Sequence, residues 1–150
     1  MFLRRVFLAS ALLFSAVCAP AHALDATKPT TESGKAWATV RKAVRQGDVV
    51  SVELRFETDY EGYSGETIYE KPADDAIYLT AGGKRFPLLQ EDGKLAAPAE
   101  LKLKFNYDPG KNPRVGDWKA RFSAPPADAA DVMLTLPKVA PIGPITIREQ

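Results

Sequence analysis

Seven carboxylates crowd residues 57–75: Glu57, Asp59, Glu61, Glu66, Glu70, Asp74 and Asp75, with Lys71 as the only cation among them. Tyr60, Tyr63 and Tyr69, three of the five tyrosines of the chain, are interleaved with these acids. Side chains of these types admit three chemistries. Rigid aromatic anchors among acids can hold a cationic protein or peptide. A pair of carboxylates about 5–10 Å apart across a cleft can hydrolyse a glycosidic bond. Hard oxygen ligands can hold Ca²⁺, although Asp59, Glu61, Ser64 and Glu66 do not follow a calcium-loop consensus. Against all three stands the commonest fate of a charge run, a solvated loop or edge strand with the tyrosines packed on a sheet. The residues that carry the binding reading are Asp59, Tyr60, Glu61, Tyr63, Glu66 and Tyr69.

Other chemistries are closed by what is missing. Cys18 and His22 are the only Cys and His of the 150 residues. Both fall in a stretch with the marks of a cleaved leader. Arg4 and Arg5 precede an apolar run from Val6 to Val17, and Ala21-His22-Ala23 forms a small-x-small cleavage site. Cleavage after Ala23 leaves 127 residues with neither imidazole nor thiol. Triads built on His or Cys then have no base, and a zinc site has no ordinary ligand. Copper ligation would fall to Met133 alone. Gly82-Gly83 is a turn rather than a phosphate-cradling motif. Cleavage before Cys18, as in a lipoprotein, is the minor alternative, because bulky Val17 stands where a small residue is wanted. No cofactor is expected.

Of the 20 Lys and Arg, only Arg4 and Arg5 lie in the leader, so 18 remain against 19 acids. That near-neutral balance argues against a general nucleic-acid binder. No second long apolar stretch predicts a transmembrane helix. Within residues 84–121, Lys102, Lys104, Lys119 and Arg121 occupy the polar phases of their runs. Pairing of those runs would make a basic outer face, which more often only discourages edge-to-edge association.

The elements that must position these side chains read as β. Val50, Val52, Leu54 and Phe56 alternate with Ser51, Glu53, Arg55 and Glu57, the period of a half-buried strand. Ile77 to Thr80 and Lys84 to Leu89 flank Gly82-Gly83 as a hairpin. Asp92-Gly93 marks a further turn. Leu101, Leu103, Phe105 and Tyr107 alternate, as do Trp118, Ala120 and Phe122, and then Val132, Leu134 and Leu136. This phase puts Trp118 in the core rather than at a ligand. Ile145 and Ile147 predict a last short strand. Residues 36–46 are ambiguous: Trp37, Val40 and Val44 have helical spacing, whereas Ala38, Val40 and Val44 could share a strand face. A turn at Gln46-Gly47-Asp48 leading into a plain strand tips the reading toward a hairpin. Residues 24–35 read as a flexible tail.

The second half also has a family look. It contains Ile77-Tyr78-Leu79-Thr80, Phe86, Trp118 to Phe122, Ser123-Ala124-Pro125-Pro126, Val132 to Pro137, Pro141-Ile142 and Ile145-Thr146-Ile147. This pattern resembles small secreted bacterial proteins of uncharacterised function with an immunoglobulin-like β-sandwich, the immunoprotective-antigen type. It departs from ordinary immunoglobulin domains in lacking paired Cys. The resemblance implies a fold and no established activity, so no functional residue is carried over.

The expectation is therefore an all-β chain: a leader over 1–23, a tail over 24–35, and one antiparallel immunoglobulin-like sandwich of seven to eight short strands over 36–150. Its expected role is a non-catalytic, periplasmic or secreted interaction module whose partner is another envelope or secreted protein. The alternatives are a carboxylate-dependent glycan-acting enzyme and a calcium-binding envelope protein.

Overall fold

Strand β2 (Val49–Thr58) organises the fold, and its inner side chains Val50, Val52, Leu54 and Phe56 are all buried, as their alternation requires. It lies between β1 (Ala36–Gln46) and β9 (Arg114–Ser123), antiparallel to both. The computed structural model describes residues 28–106 and 108–150. The expected leader and cleavage site, with Cys18, His22 and Tyr107, lie outside the described residues. The remaining elements in chain order are β3 (Gly65–Glu70), β4 (Tyr78–Ala81), β5 (Lys84–Pro87), β6 (Gln90–Glu91), β7 (Lys94–Leu95), β8 (Glu100–Lys104), β10 (Met133–Thr135) and β11 (Arg148–Glu149). The described residues contain no helix.

The strands form a four-stranded sheet β11-β1-β2-β9, a three-stranded sheet β10-β4-β5, and the pairs β3-β8 and β6-β7. All pairings are antiparallel except β1 with β11. One buried cluster takes Phe56 from β2, Trp118 and Phe122 from β9, Leu79 from β4, Leu134 from β10, and Ile68 and Leu103 from β3 and β8. Three two-residue hairpin turns use positive φ, at Gly47 (62°) between β1 and β2, at Gly82 and Gly83 (57° and 76°), and at Asp92 and Gly93 (52° and 73°).

Four expectations are sharpened or changed. First, residues 36–46 form the strand that the turn at Gln46-Gly47-Asp48 favoured, and the rival helical spacing has a local cause. A register shift between Val40 and Lys42 makes Arg41 the extra residue of a β-bulge. The buried phase runs Ala36, Ala38, then jumps to Ala43, so Val44 leaves the face it was assigned. Second, eleven strands among the described residues replace seven to eight, because β3 and the two-residue pieces β6, β7 and β11 carry too few apolar residues to show a period. Third, the last strand is the polar Arg148–Glu149. Ile145 and Ile147 precede it as irregular chain, with Ile145 buried and its N–H donating to Val132 O at 2.8 Å. Fourth, residues 30–35 are tied into the fold. Thr30 bridges Trp37, Thr31 bridges Val139, and Thr31 is buried.

Gly143 is the glycine whose conformation the fold demands. Its φ is 145°, and a Cβ there would stand 2.7 Å from Val132 O. From it the chain turns away from Ile142, which is paired with Leu134, and runs out beside β1.

Candidate functional site

The acidic segment divides at Ser64. Residues 59–64 connect β2 to β3, and residues 65–70 are β3 itself. Pairing with β8 fixes β3, whose apolar residues Ile68 and Tyr69 are buried at a register shift. The six candidate residues therefore meet different fates.

Tyr69 is a core residue. Its hydroxyl donates to Pro98 O at 2.8 Å and accepts from Trp118 Nε1 at 2.7 Å. Burial pushes its pKa up, a shift partly offset by the indole donor. It offers no surface to a partner, and Trp118 is core, as its phase implied. Glu66 is occupied by structure. Its carboxylate accepts from Thr31 Oγ1 at 2.8 Å, Ser33 Oγ at 2.6 Å and Ser33 N at 3.2 Å, which fastens residues 31–33 to β3. Tyr60 is half-buried, edge-on to Phe105 with centroids 5.8 Å apart, and Lys35 Nζ lies 4.4 Å from its ring centroid. Its backbone N–H donates to Thr58 Oγ1 at 3.0 Å, and the buried Thr58 hydroxyl in turn donates to Lys35 O.

Asp59, Glu61 and Tyr63 remain at the surface. Tyr63 is 81% exposed and is the one large hydrophobic side chain so exposed among the described residues. Two acids and one open aromatic ring thus share a six-residue loop, whose base is fixed by Thr58 and Tyr60. Glu70 lies at the far end of β3 and is not part of this group. Lys102 Nζ is 2.5 Å from Glu70 and 3.3 Å from Glu100, and its hydrogen bond and charge hold the Glu70 carboxyl below the usual carboxylate range. Among the described residues no three His, Cys, Asp or Glu side chains converge as metal ligands, so the structure does not gather a calcium cage from the acidic run.

Lys102, Lys104, Lys119 and Arg121 do not lie on paired strands, the condition for a joint basic face. Lys102 and Lys104 are on β8, whose partner is β3, whereas Lys119 and Arg121 are on β9, whose partner is β2. Three of the four also meet acids: Lys102 with Glu70, Lys119 with Glu53 at 3.2 Å, and Arg121 with Glu91.

Sequence reasoning missed one concave feature. A groove of about 1110 Å³ lies along the outer side of β1, β2 and β9, walled by Pro144, Thr146 and Arg148. Its carboxylates are Glu53 and Asp117, and neither comes from residues 57–75. Both are ion-paired, Glu53 to Lys119 and Asp117 to Arg114, whose Nε donates to Asp117 Oδ2 at 2.8 Å. The signals for this groove were a bulge and an irregular segment, neither of which has a period. No family model, curated protein or solved structure matches the chain.

Proposed function

We propose that the chain is an exported, non-catalytic interaction module with an immunoglobulin-like β-sandwich, acting in the periplasm or outside the cell after cleavage near Ala23. Its contact surface is the loop of residues 59–64, and its partner is a basic patch on another envelope or secreted protein. The observation that carries this reading is Tyr63, a largely exposed ring set beside Asp59 and Glu61. Exposed aromatic rings that lose little conformational freedom are the usual anchors of protein contacts, and flanking acids select a cationic counterpart. The sandwich is supported by the antiparallel sheets, which share one buried cluster. The absence of catalysis is supported by the missing imidazole and thiol of a chain cut after Ala23.

The test compares affinity capture from envelope extract by the mature protein and by Tyr63→Ala and Glu61→Lys variants. Both positions are exposed, so the variants should unfold at the wild-type temperature. A basic protein retained by wild type and depleted about tenfold or more by each variant is the expected result. Identical recovery by all three proteins would rule the loop out as the contact surface.

A further inference from the structure

The groove on the outer side of the main sheet has a charge balance unlike that of the whole chain. Arg41, Lys42, Arg55, Arg114, Lys119 and Arg148 line it against Glu53 and Asp117. The two carboxylates are taken by Lys119 and Arg114. The side chains of Arg41, Lys42, Arg55 and Arg148 have no carboxylate within ion-pairing distance and no hydrogen bond among the described residues. Six cations of a near-neutral chain thus share one concavity with two carboxylates, and four of the six have no ion-pair partner. We propose that this groove is a binding site for a small polyanion carrying two or more phosphate or carboxylate groups.

Three features fit that ligand class. The first is how the cations are placed. The bulge in β1 gives two successive side chains, Arg41 and Lys42, to the groove, where a regular strand would give one. Arg148 joins them from the segment that Gly143 turns out beside β1. The second is Arg55, on the central strand. Its Nε is withdrawn from water with no hydrogen-bond partner, and its cross-strand neighbour Asp117 is bound to Arg114 instead. A guanidinium stays charged at any working pH, and with Nε out of reach of solvent its terminal NH2 groups are the donors left to meet an anion. Its planar fork matches phosphate and carboxylate oxygens two at a time. The third is shape. About 1110 Å³ is close to the upper end of small-molecule sites, roughly 300–1000 Å³. Arg41, Lys42 and Arg148 are exposed whereas Arg55 is half-buried, so a planar bilayer would meet the first three more readily than Arg55.

The test titrates the purified protein with tripolyphosphate and with citrate, following heat and melting temperature. Vesicles of mixed anionic and zwitterionic phospholipid form a third arm. One-site binding of at least one small anion is expected, weakening with added salt. Saturation at about a hundred times Kd should raise Tm by roughly 5–10 °C. The double variant Arg41→Gln/Arg148→Gln, both positions exposed, should keep the ligand-free Tm and bind about tenfold or more weakly. Arg55→Gln should do the same if it folds, and the double variant decides the matter if it does not. Tyr63→Ala should bind like wild type, which separates this site from the loop of residues 59–64. Absence of heat and of a Tm shift at millimolar anion would overturn the proposal. So would wild-type affinity in the double variant, or binding of vesicles with neither small anion bound.

Discussion

Tyr69 and Trp118 show how one polar contact can fix the identity of two core residues. The indole N–H and the phenol hydroxyl are both out of water, and each needs a partner there. They satisfy one another, and the hydroxyl's own proton goes to Pro98 O. Replacing Tyr69 with Phe keeps the ring but leaves the Trp118 donor and the Pro98 acceptor unmet. A loss of about 1–3 kcal/mol in urea unfolding is expected. The pair also gives stability a pH dependence. Burial holds the folded-state Tyr69 pKa above its ordinary value near 10. The unfolded chain therefore loses this proton first as pH rises. The neutral-phenol contribution is complete below about pH 10 and declines from there until the folded pKa is passed. Wild type should destabilise more steeply than Tyr69→Phe above pH 10, and parallel slopes would contradict the assignment. Tyrosine alone in the sequence could not disclose this role. Tyr63 and Tyr69 stand in similar acidic surroundings, and only the pairing of β3 with β8 separates the exposed ring from the buried one.

Strands were legible where one face is continuously apolar and illegible where the period is broken. The phases of β2 and β9 could be read directly, because five alternating positions are buried in β2 and three, Trp118, Ala120 and Phe122, in β9. In β1 the bulge at Arg41 shifts the phase midway, and a strand with a one-residue slip imitates helical spacing. β3 was hidden by its charge, since only Ile68 and Tyr69 of its six residues are buried. What keeps such an acidic strand paired is visible across the register. Glu70 lies directly opposite Glu100, an arrangement that is repulsive by itself. Lys102 bridges the two carboxylates, and its own pKa is raised by those contacts. Lys102→Met should therefore lower Tm at neutral pH. The depressed Glu70 carboxyl contributes above its unfolded pKa and loses that contribution as pH falls. The deficit of the variant should accordingly shrink as acid protonates Glu70. Melting scans at pH 7 and near pH 3 test this, and a deficit that is equal at both would assign Lys102 a role in packing instead.

At the scale of the whole molecule, both ends of the described chain serve the main sheet. Residues 30 and 31 bridge Trp37 and Val139, and the carboxylate of Glu66 holds the adjoining turn. At the other end, β11 runs parallel to β1 and covers its free edge. Gln150 N donates to Arg45 O at 3.2 Å, and Arg45 Nε lies 2.9 Å from Glu149 Oε1 without pointing along a hydrogen bond. The opposite edge, along β9, is met by Leu88, Leu89 and Ala96. An uncovered edge is a template for pairing between copies, so these short pieces, polar at β11 and apolar at Leu88, Leu89 and Ala96, cover both edges of the main sheet. Deleting residues 143–150 should have two separable effects. Losing the buried Ile145 and the half-buried Ile147 should cost about 3–5 kcal/mol in urea unfolding, at roughly 1.5–3 kcal/mol for a fully buried aliphatic side chain. Uncovering β1 should make the remaining folded protein self-associate, as a concentration-dependent rise in sedimentation coefficient. A double substitution, Ile145→Ala/Ile147→Ala, keeps the β11 backbone and should show the stability loss without the association. Association of equal extent in both variants would place its cause in the exposed core rather than in the open strand edge.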